Sequence, residues 1–481
     1  MTNRIGNTLT AESQVPGTAT GTVHGGLAGL RVHAAFMASI ALCGSAAFAQ
    51  NEPAPTPPTE QPAAAPAADT KPAAEVAKEA GLPPAPNYSG LFWERATLTG
   101  DWGGNRNDLA QRGVTANIYL TQTLQRVVAG GVDQDWQYGG REFVGINLDL
   151  GRMKLLPGGS IRLQGEGNYG EFADASQTGT VLPANTNLLF PDTDGPQFYL
   201  SELMYMQFLS HYFGIFVGKL DGTAGDANAF ADGKGERQFL NTAFAFNPIV
   251  SVAAPAYALG GGLVIAPTGD PHSFIITVSV MDMEGQASQA GFDTLFEGGT
   301  SYIVEGRYTT HFFGLTGHQL LGGMYSDREY TSLDQNLSNL IIPGLPIQTE
   351  NSSWAIYYNF DQYVYQPDTK QDRGLGIFGR YGISDGDANP VHHFLSLGLG
   401  GKGLVPSRAH DQFGLGYFKL FAADSPTLST LNFEDSQGFE AYYEMAITPA
   451  MFLTPDVQVI QPSQQHVDND FVVGLRLTLV F

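Results

Sequence analysis

Between Asp221 and Ala254 the chain concentrates Asp226, Asn228, Asp232, Lys234, Glu236, Arg237 and Asn241 in a run of small residues interleaved with Phe239, Phe244 and Phe246. A second polar set is spread over segments that alternate apolar and polar residues: Arg162, Glu166, Glu305, Arg307, Tyr357, Asn359, Asp361, Arg380, Glu440, Glu444 and Arg476. Guanidinium and carboxylate forks can each engage two adjacent hydroxyls, and opposite charges hold one another in place, so such a mixture suits an uncharged polyol. A ring such as Tyr357 could stack on the apolar face of a pyranose. The plainer role is mechanical: a water-filled barrel needs polar groups inside, and ion pairs there brace the wall.

Other chemistries find little support. No Gly-x-Ser-x-Gly elbow, His-Glu-x-x-His helix or phosphate-binding glycine loop is present, so the expectation is a protein without catalytic residues or cofactor. His392 and His393 lie near Asp385 and Asp387, but neighbours on a strand point to opposite faces, which argues against a shared metal.

The elements that must position these residues are strands. In the last eleven residues Phe471, Val473, Leu475, Leu477 and Leu479 are apolar, whereas Arg476 and Thr478 fall between them, and the chain stops on Phe481. One face is oily and the other wet. In a chain with no helical span this period predicts a transmembrane β-barrel. The same period, read between turn signals, predicts about sixteen strands from 114 onward, an even number that puts both barrel ends on the periplasmic side. Connections alternate between short ones, such as 211–214, 267–271, 311–314 and 448–450, and long ones, at about 171–196, 222–257, 283–299, 328–351 and 422–437. Short turns belong to the periplasm and long loops to the outside. Parity then assigns Ile161, Leu163, Tyr169, Tyr302, Val304, Tyr308 and Trp354 to lipid, and the charged set above to the lumen. The fold class is all-β: a transmembrane antiparallel barrel with a short periplasmic N-terminal helix.

Composition agrees. Charged residues make up only 15% of the chain, aromatics 11%, and there are 59 glycines, whereas a soluble protein carries about 25% charged residues. The net charge of -23 opposes nucleic-acid binding, which needs clustered cations, and an anion-specific pore. Residues 34–46 form an apolar run ahead of Ala47-Phe48-Ala49, a secretory signal over 1–49 that is too short to remain as a membrane helix. Its loss takes Cys43, the sole cysteine, with it. Residues 50–87, rich in Pro and Ala, read as a disordered periplasmic tail. Residues 88–112 read as a periplasmic lead with a helix over roughly 102–112, capped by Asp101 and stopped by Gly113, and 113–481 as the barrel.

Leu98-Thr-Gly-Asp-Trp-Gly-Gly-Asn-Arg106 followed by Leu109-Ala-Gln-Arg-Gly113 resembles the opening of the carbohydrate-selective porins, the OprB family. Gly218-Lys-Leu-Asp221, Phe239-Leu-Asn-Thr-Ala-Phe244 with Asn247-Pro248, and the terminal Phe481 extend the resemblance over roughly 88–481. It implies a sixteen-stranded outer-membrane barrel of a Gram-negative bacterium that admits small sugars by facilitated diffusion, with external loops folded inward. The implied partners are sugars, outer-membrane lipid and, through the C-terminal strand, the outer-membrane assembly machinery. On this reading Arg162, Glu166, Glu305, Arg307, Tyr357, Asp361, Arg380, Glu444 and Arg476 line the pathway, and the loop bearing Asp226, Asn228, Asp232, Glu236 and Arg237 narrows it.

The phenylalanines of that loop need burial. Packing on the inner wall supplies it; a subunit contact is the alternative, since porins often associate as trimers. Two other functions stay open at this level: a general diffusion porin with mild cation preference, suggested by the charge, and a barrel enzyme or surface-binding barrel with a filled lumen. Amino-terminal sequencing of the mature protein should begin at Gln50; recovery of the intact 34–46 segment would refute the signal assignment.

Overall fold

The structure is a computed structural model that describes residues 84–191, 197–335, 338–339, 342, 344–368 and 371–481. The expected signal segment and almost all of the Pro/Ala-rich tail lie outside the described residues. Sixteen strands form one closed antiparallel barrel. They are β1 (Val114–Ala129), β2 (Trp136–Asp149), β3 (Gly159–Gly170), β4 (Phe198–Ser210), β5 (Phe213–Asp221), β6 (Tyr257–Ile265), β7 (Phe274–Asp282), β8 (Thr300–Thr310) and β9 (Gly317–Ser326), then β12 (Ser353–Tyr365), β13 (Gly374–Ser384), β14 (Val391–Lys402), β15 (Gln412–Ala422), β16 (Ser436–Thr448), β17 (Met451–Gln461) and β18 (Asp470–Val480). Two further short strands, β10 (Tyr330–Thr331) and β11 (Thr349–Glu350), pair as a ribbon in the β9–β12 loop, an element the alternation pattern did not mark.

Each strand pairs with its sequence neighbour, and β18 pairs with β1 from Tyr119–Val480 to Ala129–Phe471, so no edge is left unpaired. Closure is what permits strands in hydrocarbon, where an unsatisfied backbone group costs several kcal/mol. Among the described residues no helix is long and apolar enough to cross a membrane. The outward positions carry the exposed apolar side chains, including Leu124, Leu203, Val217, Tyr302, Val304, Tyr308, Leu321, Trp354 and Leu475. The alternate positions along the strands, on the other face, carry buried polar residues such as Thr123, Gln125, Glu305, Arg380 and Arg476.

The lead closes the barrel seam at the end where β1 begins and β18 finishes. Its helix α1 (Asn105–Gln111) begins after Gly104, which makes no side-chain cap, so the expectation of an Asp101 cap and a start near 102 is corrected. The Asp101 carboxylate instead accepts from Gly103 N (3.1 Å) and the Ser89 hydroxyl (2.7 Å), holding the turn that precedes the helix. Arg106 explains the motif: its guanidinium donates to Ala116 O (2.7 Å) and Phe481 O (2.9 Å), the ends of β1 and β18, and lies over the Tyr88 ring at 4.0 Å. Trp136 is the first residue of β2, beneath the Arg126 guanidinium.

Gly113 ends the helix at φ 95°, and a β-carbon there would lie 2.6 Å from Asp149 O. Gly113→Ala should therefore lose on the order of 1–2 kcal/mol from left-handed strain alone, seen as a lower temperature of the heat-modifiable shift of the folded barrel in gel electrophoresis.

Candidate functional site: a loop-filled lumen

The segment between β5 and β6 enters the barrel and is fixed on opposing walls. Glu236 pairs with Arg141 of β2 (2.6 Å), while Asn228 donates to Asn359 Oδ1 of β12 (2.7 Å), half-way round the ring. The sequence folds inward here because its apolar residues have sockets. Phe230, Phe239 and Phe244 are at most 1% exposed. They lie against glycines on the lumen face of β13, β14 and β15. A β-carbon on Gly376 would fall 2.1 Å from Phe230 Cε2, on Gly414 2.6 Å from Phe239 Cζ, and on Gly416 2.5 Å from Phe244 Cε1. Phe239 and Phe244 also contact each other, with centroids 4.6 Å apart, and Phe378, while Phe230 packs on Tyr363 at 4.8 Å. Asn241 caps the one-turn helix Thr242–Ala245, and Asn247 caps the following turn, Pro248–Ser251.

Charge pairing completes the seat. Arg380 of β13 grips Asp226 through Nε and Nη2 (2.6 and 2.7 Å) and donates to Phe244 O and Ala231 O. Glu444 of β16 takes a forked bond from Arg237 (2.5–2.8 Å). Arg476 of β18 donates to the carbonyls of Gly235, Arg237 and Gln238 (2.7–2.9 Å). Glu166 of β3, fully buried, receives Arg141 (2.8 Å), Lys234 (3.1 Å) and the Tyr257 hydroxyl (2.8 Å), and Lys234 also bonds Asp221 (2.7 Å). Glu440 accepts the backbone N–H groups of Leu240 and Asn241. Buried ions are tolerated only when paired in this way.

The sequence-derived lumen residues thus divide. Glu166, Asp361, Arg380, Glu444 and Arg476 are buried anchors of the inserted segment; Asp361 accepts Ala229 N (3.2 Å) and meets His318 Nδ1 (2.8 Å). Glu305 and Tyr357 bond each other (2.6 Å), and Tyr357 is 2% exposed over Gly322. The expectation that Tyr357 offers a ring face to a sugar is therefore corrected, because that face is covered. Arg162 and Arg307 retain contact with solvent: Arg162 is 29% exposed at 3.9 Å from Glu202, and Arg307 donates to Ala227 O (3.3 Å). Within the loop, Asp226 and Asn228 are buried and Asp232 is half-buried, whereas the side chains of Glu236 and Arg237 are 20% and 33% exposed.

Sequence reasoning missed Arg141, Glu202, Tyr257 and His318 as lumen groups, although parity on β2 would have found Arg141. It also singled out one loop where two enter. Residues 181–190, all buried except the half-buried Leu189, lie beside the first segment, with Thr186 N donating to Leu240 O (2.7 Å), Thr242 N to Pro183 O (3.0 Å) and Asn185 to Gln125 of β1 (3.0 Å). The available signal was the same: Val181-Leu182 and Leu188-Leu189-Phe190 set among asparagines and threonines. His392 and His393 sit at the outer end of β14, His393 within 2.9 Å of the Tyr381 hydroxyl.

A closed barrel of sixteen strands, wet inside and narrowed by its own external loops, is the architecture of an outer-membrane porin. The family profile "Carbohydrate-selective porin, OprB family" matches residues 133–481, and the chain belongs to that family of sugar-conducting porins. The match begins beyond the lead, so the Asp101–Arg106 motif that contributed to the resemblance lies outside it. Among curated relatives, Porin B of Pseudomonas aeruginosa is 26% identical over 192 residues, 35% of this chain and 42% of that protein. Putative porin QuiX of Acinetobacter baylyi is 22% identical over 434 residues, 81% of this chain and 94% of that protein. The high-pH structure of Pseudomonas putida OprB superposes with a TM-score of 0.71 at 20% identity, covering 82% of this chain and all of that one, a likeness of fold.

Removing one partner of a buried ion pair typically costs about 3–5 kcal/mol. Arg380→Met should therefore unseat the loop, giving a larger and noisier single-channel conductance and new protease cleavage within 222–256; a conductance equal to wild type would contradict the anchoring role.

Proposed function

We propose that this porin passes small neutral sugars passively, sieving them where the 181–190 and 222–256 loops fill the lumen and selecting them by the polar groups left facing the remaining aqueous path. Those groups are Arg162, Glu236, Arg237, Arg307 and His318. The observation that carries the reading is the fixation of one loop to opposing walls through Arg380–Asp226, Arg141–Glu236 and Arg237–Glu444. A loop so held keeps a fixed aperture, and a fixed aperture lined by alternating donors and acceptors is the general means by which pores select by size and hydration. No energy coupling is required. The chemistry suits uncharged hydroxylated solutes because the inward carboxylates are largely matched by guanidinium or ammonium groups. Single charged solutes would have to break such pairs.

The anchors and the lining groups have different parts in this scheme. Arg380, Glu444, Arg476 and Glu166 set the size of the opening, and Glu236 and Arg237, whose side chains stay partly exposed, present its chemistry. Liposome swelling across monosaccharides and disaccharides should show a steep fall in rate at disaccharide size. Deleting 226–237 should raise conductance and abolish that size step; swelling rates that decline smoothly with solute size in the intact protein would favour a general diffusion pore.

A further inference from the structure

The rings that the lumen offers to a solute are not the ones that hold the loop. Phe378, Phe418, Tyr357, Tyr442 and Phe452 all face inward and are at most 5% exposed. Tyr119 of β1 and Phe143 of β2, directly opposite each other in the register, are half-buried. Both share the lumen face with Arg141, and the ring centroids stand 5.7 Å apart at 53°. Gly145, two residues along β2 on the same face, leaves the space into which Phe143 leans; a β-carbon there would lie 3.0 Å from the ring. The part of these rings that the wall leaves uncovered offers apolar carbon area to the C–H face of a ligand.

Polar groups with unused capacity surround the pair. Glu236 bonds Arg141 through Oε1, while its Oε2 has no hydrogen-bond partner among the described residues. Arg237 engages Glu444 through Nε and Nη2, leaving Nη1 without one. The Tyr119 hydroxyl likewise makes no hydrogen bond among the described residues. The Arg141 guanidinium lies 5.6 Å from the Phe143 ring centre, which fixes that edge of the site.

We propose that Tyr119 and Phe143 form a stacking platform for the apolar face of a pyranose near the periplasmic exit, with Glu236 Oε2, Arg237 Nη1 and the Tyr119 hydroxyl taking the ring's equatorial hydroxyls. The height follows from the register: Tyr119 pairs with Val480, and Thr478, two residue pairs further along, holds Glu236 O (2.7 Å). The two external loops would thus sieve the solute, and this platform would recognise it as a ring before release. The assignment deepens the sugar-porin reading and rests on it. It predicts a preference for cyclic over open-chain polyols of the same size, because only a closed ring presents a continuous C–H face to aromatic carbon.

The test is current block in planar bilayers by glucose and by sorbitol, its open-chain counterpart, using the full-length mature protein. Wild type should be blocked at lower glucose than sorbitol concentration. Phe143→Leu and Tyr119→Leu should each weaken glucose block about three- to tenfold, the range of one aromatic contact, and leave sorbitol block within twofold. Phe143→Tyr, which keeps a ring, should retain the glucose preference and controls for disturbance of the wall. Equal weakening for both solutes, or undiminished glucose block in the leucine variants, would overturn the platform while leaving the sugar porin intact. A wild-type channel blocked by neither solute would overturn both.

Discussion

The channel depends on the seating of one external segment against the inside of its own barrel. Once residues 222–256 are drawn in, buried charge inside the wall becomes tolerable, because Arg380 has Asp226, Glu444 has Arg237 and Arg476 has three carbonyls. Without the segment those wall residues would be hydrated and mutually repelling or attracting at random. With it they become a scaffold, and the barrel's interior turns from a wide pipe into a shaped passage. The hydrophobic part of the seat matters as much. Phe230, Phe239 and Phe244 fill sockets in the wall and remove from water the apolar surface that would otherwise keep the loop collapsed outside.

Much of the barrel was legible beforehand, because period-two alternation is a direct physical record of lipid on one face and water on the other. The lumen assignments of Glu166, Arg380, Glu444 and Arg476 follow from parity alone, and all four point inward. The two-residue strands β10 and β11 were too short to carry a pattern. The start of α1 was misplaced because Asp101 satisfies the preceding turn, a competing local use that spacing cannot distinguish from a cap.

The roles of the inward residues were harder to read. Parity places a side chain in the lumen but cannot say whether another part of the chain covers it. Tyr357 and Arg162 look alike on that criterion, yet Tyr357 is covered and Arg162 remains wet. The distinction is tertiary: Tyr357 is held by Glu305 and lies over Gly322 on other strands, and Asn359 beside it meets Asn228 from the inserted loop. The apolar runs in the two inserted loops were the readable sign that something would be covered.

The wall glycines now have a meaning that composition could not supply. Gly376, Gly400, Gly414 and Gly416 are moulds cast around the rings of a distant loop. Strand and loop are consequently tied as lock and key: a methyl group gained in the wall demands a smaller ring in the loop, and a larger ring demands a deeper hollow. Changes in bore among related channels would then have to arrive as matched pairs of substitutions, so the caliber of such a conduit can drift only along routes where both partners move together.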